Sequence, residues 1–268
     1  MNRITFRTAL LSVSIFAAIF ILGALIAQEP GKPQITPPAP EKSEPALTDW
    51  QQKHVSQLLN DFAWLARYRD EDLKLGPPAP GQRRVVFMGD SITEIWKIEG
   101  KDGSFPGKPY INRGISGETT PQMLVRFRQD VIDLKPRVVV ILAGINDIAG
   151  NTGPMTIEQT EDNLASMAEL AAANRIKVVM CSVLPAFDFP WRPGMEPAPK
   201  VIAVNKWMKA YAAKKGFVYV DYYSAMKDER GGLPAKLSKD GVHPLPAGYA
   251  IMAPLAEAGI RKALKGGK

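Results

Sequence analysis

Cysteine is nearly absent from this 268-residue chain: Cys181 is the only one, so no intrachain disulfide can form. It sits in the apolar run Val178-Val179-Met180-Cys181-Ser182-Val183, where a cysteine serves as a small buried hydrophobe. Histidine is almost as scarce. With only His54 and His243, a zinc centre built on two or three histidines would consume all of them from distant parts of the chain, so no metal site is expected. Charge of one sign is also in short supply: 34 Lys and Arg against 27 Asp and Glu leave +7, and +5 once Arg3 and Arg7 are set aside. That excess is scattered and includes no basic block interleaved with aromatics, which argues against a nucleic-acid partner. Nucleotide fingerprints are missing as well. No Gly-x-Gly-x-x-Gly opens a helix after the first strand, and no Gly-x-x-x-x-Gly-Lys occurs. The Gly-x-Ser-x-Gly elbow is equally absent, Ser116 in Gly114-Ile115-Ser116-Gly117 being its nearest imitation and reading as a loop residue.

What remains is ordinary for a globular protein, 46% hydrophobic and 23% charged, enough for one substantial domain with appendages. Arg3 and Arg7 precede an uncharged run over residues 8–27. Residues 1–27 therefore read as a signal peptide or a membrane anchor, and both readings stay open: the run is long enough to span a bilayer, while Ala27 could precede a cleavage site. Either one places the domain outside the cytoplasm, periplasmic or extracellular. Six prolines in residues 28–47 cannot build a packed core and read as an extended linker, leaving 48–268 as the domain.

The domain opens with apolar residues at helical spacing from Trp50 to Tyr68, predicting one or two helices over 49–72. His54 lies there and reads as a surface or interface residue. Beyond the Pro-rich break at 76–81, strands and helices alternate. Strands are predicted over 85–89, 110–112, 138–142, 178–183 and 217–220. Between them the chain predicts helices from Ile92, from Thr120 to Pro136, from the Thr156/Gln159 capping box to Ala173, and through Val201, Val204, Met208 and Ala212 to Gly216. Pro246 opens a final helix that Pro254 is expected to kink or divide, after a loop-rich stretch over 221–245. The alternation predicts an α/β fold of three layers with a doubly wound parallel sheet of five strands. Ligands bind such sheets beyond the C-terminal strand ends, where Ser91, Gly114 and Asn146 all fall.

Ser91 ends the run Val85-Val86-Phe87-Met88-Gly89-Asp90-Ser91. A serine hydroxyl becomes a nucleophile only when a base takes its proton and donors await the oxyanion. The plausible base is His243, and Asp240, three residues earlier, can orient its ring. Asp90 and Asp147 read as loop-shaping hydrogen bonders, since a carboxylate beside an oxyanion would oppose its charge.

Taken in order, Gly89-Asp90-Ser91, Gly114, Gly144-Ile145-Asn146-Asp147 and Asp240-Gly241-Val242-His243 resemble the four motif blocks of the SGNH hydrolases, the GDSL esterases and lipases. The resemblance covers residues 84–262, with Ile92 where the eponymous motif has leucine. It implies a flavodoxin-like sheet, Ser91 as nucleophile, His243 as general base and acid, and Asp240 as its orienter. The backbone N–H groups of Ser91 and Gly114 and the Asn146 amide would form the oxyanion hole. It implies no metal and no organic cofactor.

The substrate implied is a small-molecule or glycan ester: a lipid or lysophospholipid ester, or an O-acetylated carbohydrate. The insertion 184–195 should overhang the catalytic edge, so Phe187, Phe189 and Trp191 are candidates to wall the substrate. Trp96, Ile115, Ile148 and Val242 are further candidates for an apolar lining. A membrane enters only through an uncleaved N-terminal segment. A non-catalytic carbohydrate-binding module and an acyltransferase stand as alternatives.

Overall fold

The computed structural model describes residues 47–266. The expected targeting segment, 1–27, and all but the last residue of the expected linker lie outside the described residues. The strands are β1 Val85–Gly89, β2 Tyr110–Gly114, β3 Val138–Leu142, β4 Lys177–Cys181 and β5 Val218–Val220. They pair in parallel in the order β2-β1-β3-β4-β5, the doubly wound flavodoxin-like arrangement. Every residue of β1 and β3 is buried, which explains why these strands read as unbroken apolar runs. The winding reverses between β1 and β3, so a crevice opens beyond their C-terminal ends. Register sets Gly89 beside both Gly114 and Leu142, delivering the three following loops to one edge.

Two helices, α1 Asp49–Asn60 and α2 Arg69–Leu75, precede the sheet. The others are α3 Ser91–Ile95, α4 Thr120–Phe127, α5 Ile145–Ile148, α6 Ile157–Ala173, α7 Pro197–Lys215, α8 Tyr222–Met226 and α9 Pro246–Lys265. Helices α4, α6 and α7 pack in a row, whereas α9 covers β3, β4 and β5 and reaches α3 through Tyr249, whose hydroxyl donates to the Ile92 carbonyl at 2.7 Å. The Thr156/Gln159 capping box starts α6 as expected. Cys181 is fully buried.

Several boundaries differ from the sequence reading for identifiable reasons. Strand β4 stops two residues early because the Asn205 side chain takes both the N–H and the C=O of Val183, at 2.8 and 2.9 Å. The helix begun at Thr120 leaves α geometry at Phe127 and continues as a π turn over Arg128–Ile132. Helix α9 runs unbroken through Pro254, which faces solvent while Met252, Ala256 and Ile260 are buried on either side of it. Their burial holds the helix together despite the one hydrogen bond that proline removes. The short helices α5 and α8 were not anticipated.

Candidate active site

Strand β1 ends at Gly89, where the chain is too crowded for a side chain: a Cβ would lie 2.1 Å from Thr93 Oγ1 and 2.7 Å from the Leu142 carbonyl. The buried Asp90 caps α3 by accepting the Ile92 N–H at 2.9 Å. Ser91 is thereby the first residue of the helix, where backbone N–H groups have no partner within the helix. On the far side of the crevice, the loop before α9 folds around the Asp240 carboxylate. Oδ1 accepts the N–H groups of Val242 and His243 at 2.9 and 2.8 Å and the Ser238 hydroxyl at 3.0 Å. Oδ2 lies 2.6 Å from His243 Nδ1, and His243 Nε2 lies 2.9 Å from Ser91 Oγ. With the proton on Nδ1, Nε2 is left to accept from the serine. Burial tends to raise the Asp240 carboxyl, but the hydrogen bonds from His243 and Val242 outweigh it and hold it at about 2. The group therefore carries its charge at any working pH.

The third corner of the crevice is Asn146, in α5. Its Nδ2 donates to the Glu118 carbonyl at 2.9 Å, which spends one amide hydrogen and leaves the second free to face a substrate. Asp147 turns away from this point and accepts the Thr120 N–H and hydroxyl, as a loop-shaping residue should. Asp90 and Asp147 are both shifted upward in pKa, chiefly by burial, Asp90 to about 7.

Gly114 does not fit the oxyanion role given to it. Its N–H is taken by Asn112 Oδ1 at 2.9 Å and its carbonyl by the Tyr68 hydroxyl. The glycine is there for close packing, since a Cβ would lie 2.2 Å from the Glu94 nitrogen in α3. Three residues on, Gly117 has the left-handed φ of +83° that favours glycine. It is buried, its carbonyl is held by Asn151 Nδ2 at 3.1 Å, and it immediately precedes the residue that anchors Asn146. Among the described residues no acceptor takes the Gly117 N–H. The sequence signal for it was the second glycine of Gly114-Ile115-Ser116-Gly117.

Residues 87–251 match the GDSL-like Lipase/Acylhydrolase family. The chain belongs to this family. It is 31% identical over 172 residues to the esterase TesA of Pseudomonas aeruginosa, covering 60% of this chain and 79% of that protein. It is 27% identical over 200 residues to an acetylxylan esterase of Geobacillus stearothermophilus, covering 63% of this chain and 90% of the relative. The crystal structure of a GDSL-like lipase from Bacteroides thetaiotaomicron is 47% identical and superposes with a TM-score of 0.72, over 76% of this chain and all of that one.

The expected lining residues divide sharply. Phe187 and Trp191 are 50% and 45% exposed. Trp191 stands 6.3 Å from the His243 ring, stacked on Phe189 at 5.3 Å, and Phe187 lies beneath the Arg230 guanidinium. Phe187, Arg230, Asp240 and Gly241 line a crevice of about 210 Å³. Phe189 is fully buried and supports Trp191 instead of meeting a ligand. Trp96 is core, wedged among Phe87, Phe105 and Tyr249, with Nε1 donating to Ser104 Oγ at 2.9 Å. Ile115, Ile148 and Val242 are buried and present almost no surface to line a groove. Arg192 ties the insertion down by donating to the Gly150 carbonyl at 2.9 Å, just beyond α5.

Proposed function

We propose that the protein is an exported serine ester hydrolase that removes short acyl groups, acetyl foremost, from carbohydrate through an acyl-enzyme. The observation that carries the reading is the unbroken chain Ser91 Oγ, His243 Nε2, His243 Nδ1, Asp240 Oδ2, with links of 2.9 and 2.6 Å. Ser91 Oγ attacks the ester carbonyl while Nε2 takes its proton. Asp240 stabilises the imidazolium that forms. The negative charge that develops on the carbonyl oxygen meets the N–H groups of Ser91 and Gly117 and the free amide hydrogen of Asn146. Collapse of the tetrahedral species breaks the bond to the alcohol, which leaves with the proton from Nε2. Water then attacks the acyl-serine by the same route, giving up a proton to Nε2 and freeing the acid and Ser91.

A short acyl group suits a site whose apolar candidates Ile115, Ile148 and Val242 are buried. Exposed aromatics beside the base suit a sugar, which presents flat apolar faces to such rings. The similarity to an acetylxylan esterase supports the same reading. Export rests on residues 1–27, whose charges precede an uncharged run. The test is a panel of p-nitrophenyl esters from acetyl to octanoyl, with acetylated oligosaccharides and lysophospholipids. Acetyl esters and acetylated sugars should lead. Preference for octanoyl or for lysophospholipid would overturn the substrate reading.

A further inference from the structure

Arg126, in α4, is a fully buried cation that the hydrolytic steps do not use. Each nitrogen of its guanidinium has a partner. Nε and Nη2 reach Glu118 Oε2 at 2.7 and 2.6 Å, and Nη1 donates to Asp130 Oδ2 at 2.8 Å. Nη2 also meets the Arg113 carbonyl at 2.9 Å and the Gly89 carbonyl at 3.2 Å. Asp130 belongs to the π turn that extends α4 and is itself fully buried.

The partners come from β1, from β2 and from the loop that follows β2. Gly89 is the last residue of β1, and the next residue, Asp90, caps the helix that begins at Ser91. Glu118 follows Gly117, and its carbonyl holds the Asn146 amide. Arg113 precedes the Gly114 packing point against α3. One planar fork therefore binds the strand that leads to the nucleophile and the loop that carries Gly117 and anchors Asn146.

We infer that Arg126 is a positioning residue for ester hydrolysis, setting the separation between the Ser91 N–H and the donors of Gly117 and Asn146. The inference rests on the serine hydrolase reading above. Stability alone is a poor account of such a cluster, because a buried ion pair replaced by well-packed apolar residues is often neutral or stabilising. Geometry is the better account. A guanidinium offers five donors in a fixed plane, whereas a lysine in its place keeps the charge but cannot span four partners.

The test compares R126K, R126M and E118Q with the full chain, using p-nitrophenyl acetate, the rate of fluorophosphonate labelling at Ser91, and thermal midpoints. Wild-type turnover and labelling come first, since their absence would refute the parent reading and not this one. Folded R126K should lose at least tenfold in kcat with KM within threefold, R126M should lose more than R126K, and E118Q should lose at least threefold in kcat. Labelling rates should fall in step with kcat. A folded R126K with kcat within threefold of wild type, or with its loss confined to KM, would overturn the inference. If R126K does not fold, E118Q decides. An E118Q that is fully active, or that also fails to fold, assigns the cluster to stability and overturns the positioning role.

Discussion

Replacing Asn146 with alanine removes one of the three donors proposed for the developing oxyanion and leaves the other two in place. The amide sits in a dry corner: the residue is buried and one hydrogen is fixed on the Glu118 carbonyl at 2.9 Å, so the other is preorganised before substrate arrives. Loss of such a donor costs about 2.7–4 kcal/mol in the transition state, a fall in kcat of roughly 10² to 10³. Little of this should appear in KM, because the planar ester oxygen in the ground state carries far less charge. The same change strands the Glu118 carbonyl, at about 1–3 kcal/mol of stability, which in a domain of this size lowers the thermal midpoint by several degrees. Asn146→Asp sharpens the test. It keeps the shape but places a carboxylate where negative charge develops, and it should be less active than Asn146→Ala. The assay is steady-state hydrolysis of p-nitrophenyl acetate at 25 °C, with calorimetry on the same samples. An Asn146→Ala enzyme within threefold of wild-type kcat, or one losing only in KM, would refute the oxyanion assignment.

Asp240→Asn should lower kcat on the order of 10³- to 10⁴-fold, because an amide can present its N–H to His243 Nδ1 and turn the ring to the wrong tautomer; a loss under tenfold would contradict the role given to Asp240. Stability should fall as pH rises from about 4 to 7. Burial raises Asp90 from 3.8 and Glu118 from 4.5, each to about 7, so the folded state binds their protons more tightly than the unfolded chain in that window. Asp240, held at about 2, acts in the opposite sense and costs stability only as pH drops below about 4. Asp90→Asn keeps an acceptor for the Ile92 N–H and should flatten the decline in thermal midpoint between pH 5 and pH 8; an unchanged slope would count against Asp90 as its source.

The sheet was legible because β1 and β3 are buried on both faces and leave unbroken apolar runs. That Ser91, His243 and Asp240 come together was legible through their order along the chain. The Gly114 assignment failed because a glycine records a steric demand without saying which: at 114 the demand is a neighbouring backbone atom, at 117 a left-handed turn. Among the loop aromatics, a shared insertion grouped Phe187, Phe189 and Trp191, yet Asp188 accepts the N–H groups of Phe189 and Gly194 and folds the segment so that only the middle one is buried. Trp96 was misread for a related reason: composition does not reveal that Phe105 and Tyr249 close over it. The buried Arg126 was invisible as well. Its carboxylate partners lie close in sequence, but the two carbonyls that give it meaning belong to strands from elsewhere in the chain.

The central claim is that Ser91 is the nucleophile. The most direct measurement is fluorophosphonate labelling followed by intact mass and peptide mapping, with Ser91→Ala as the paired sample. The expected result is a single phosphonyl adduct on Ser91, no adduct on Ser91→Ala, and loss of p-nitrophenyl acetate hydrolysis from a variant that melts like the wild type. An adduct on another residue, or full hydrolysis by Ser91→Ala, would contradict the account.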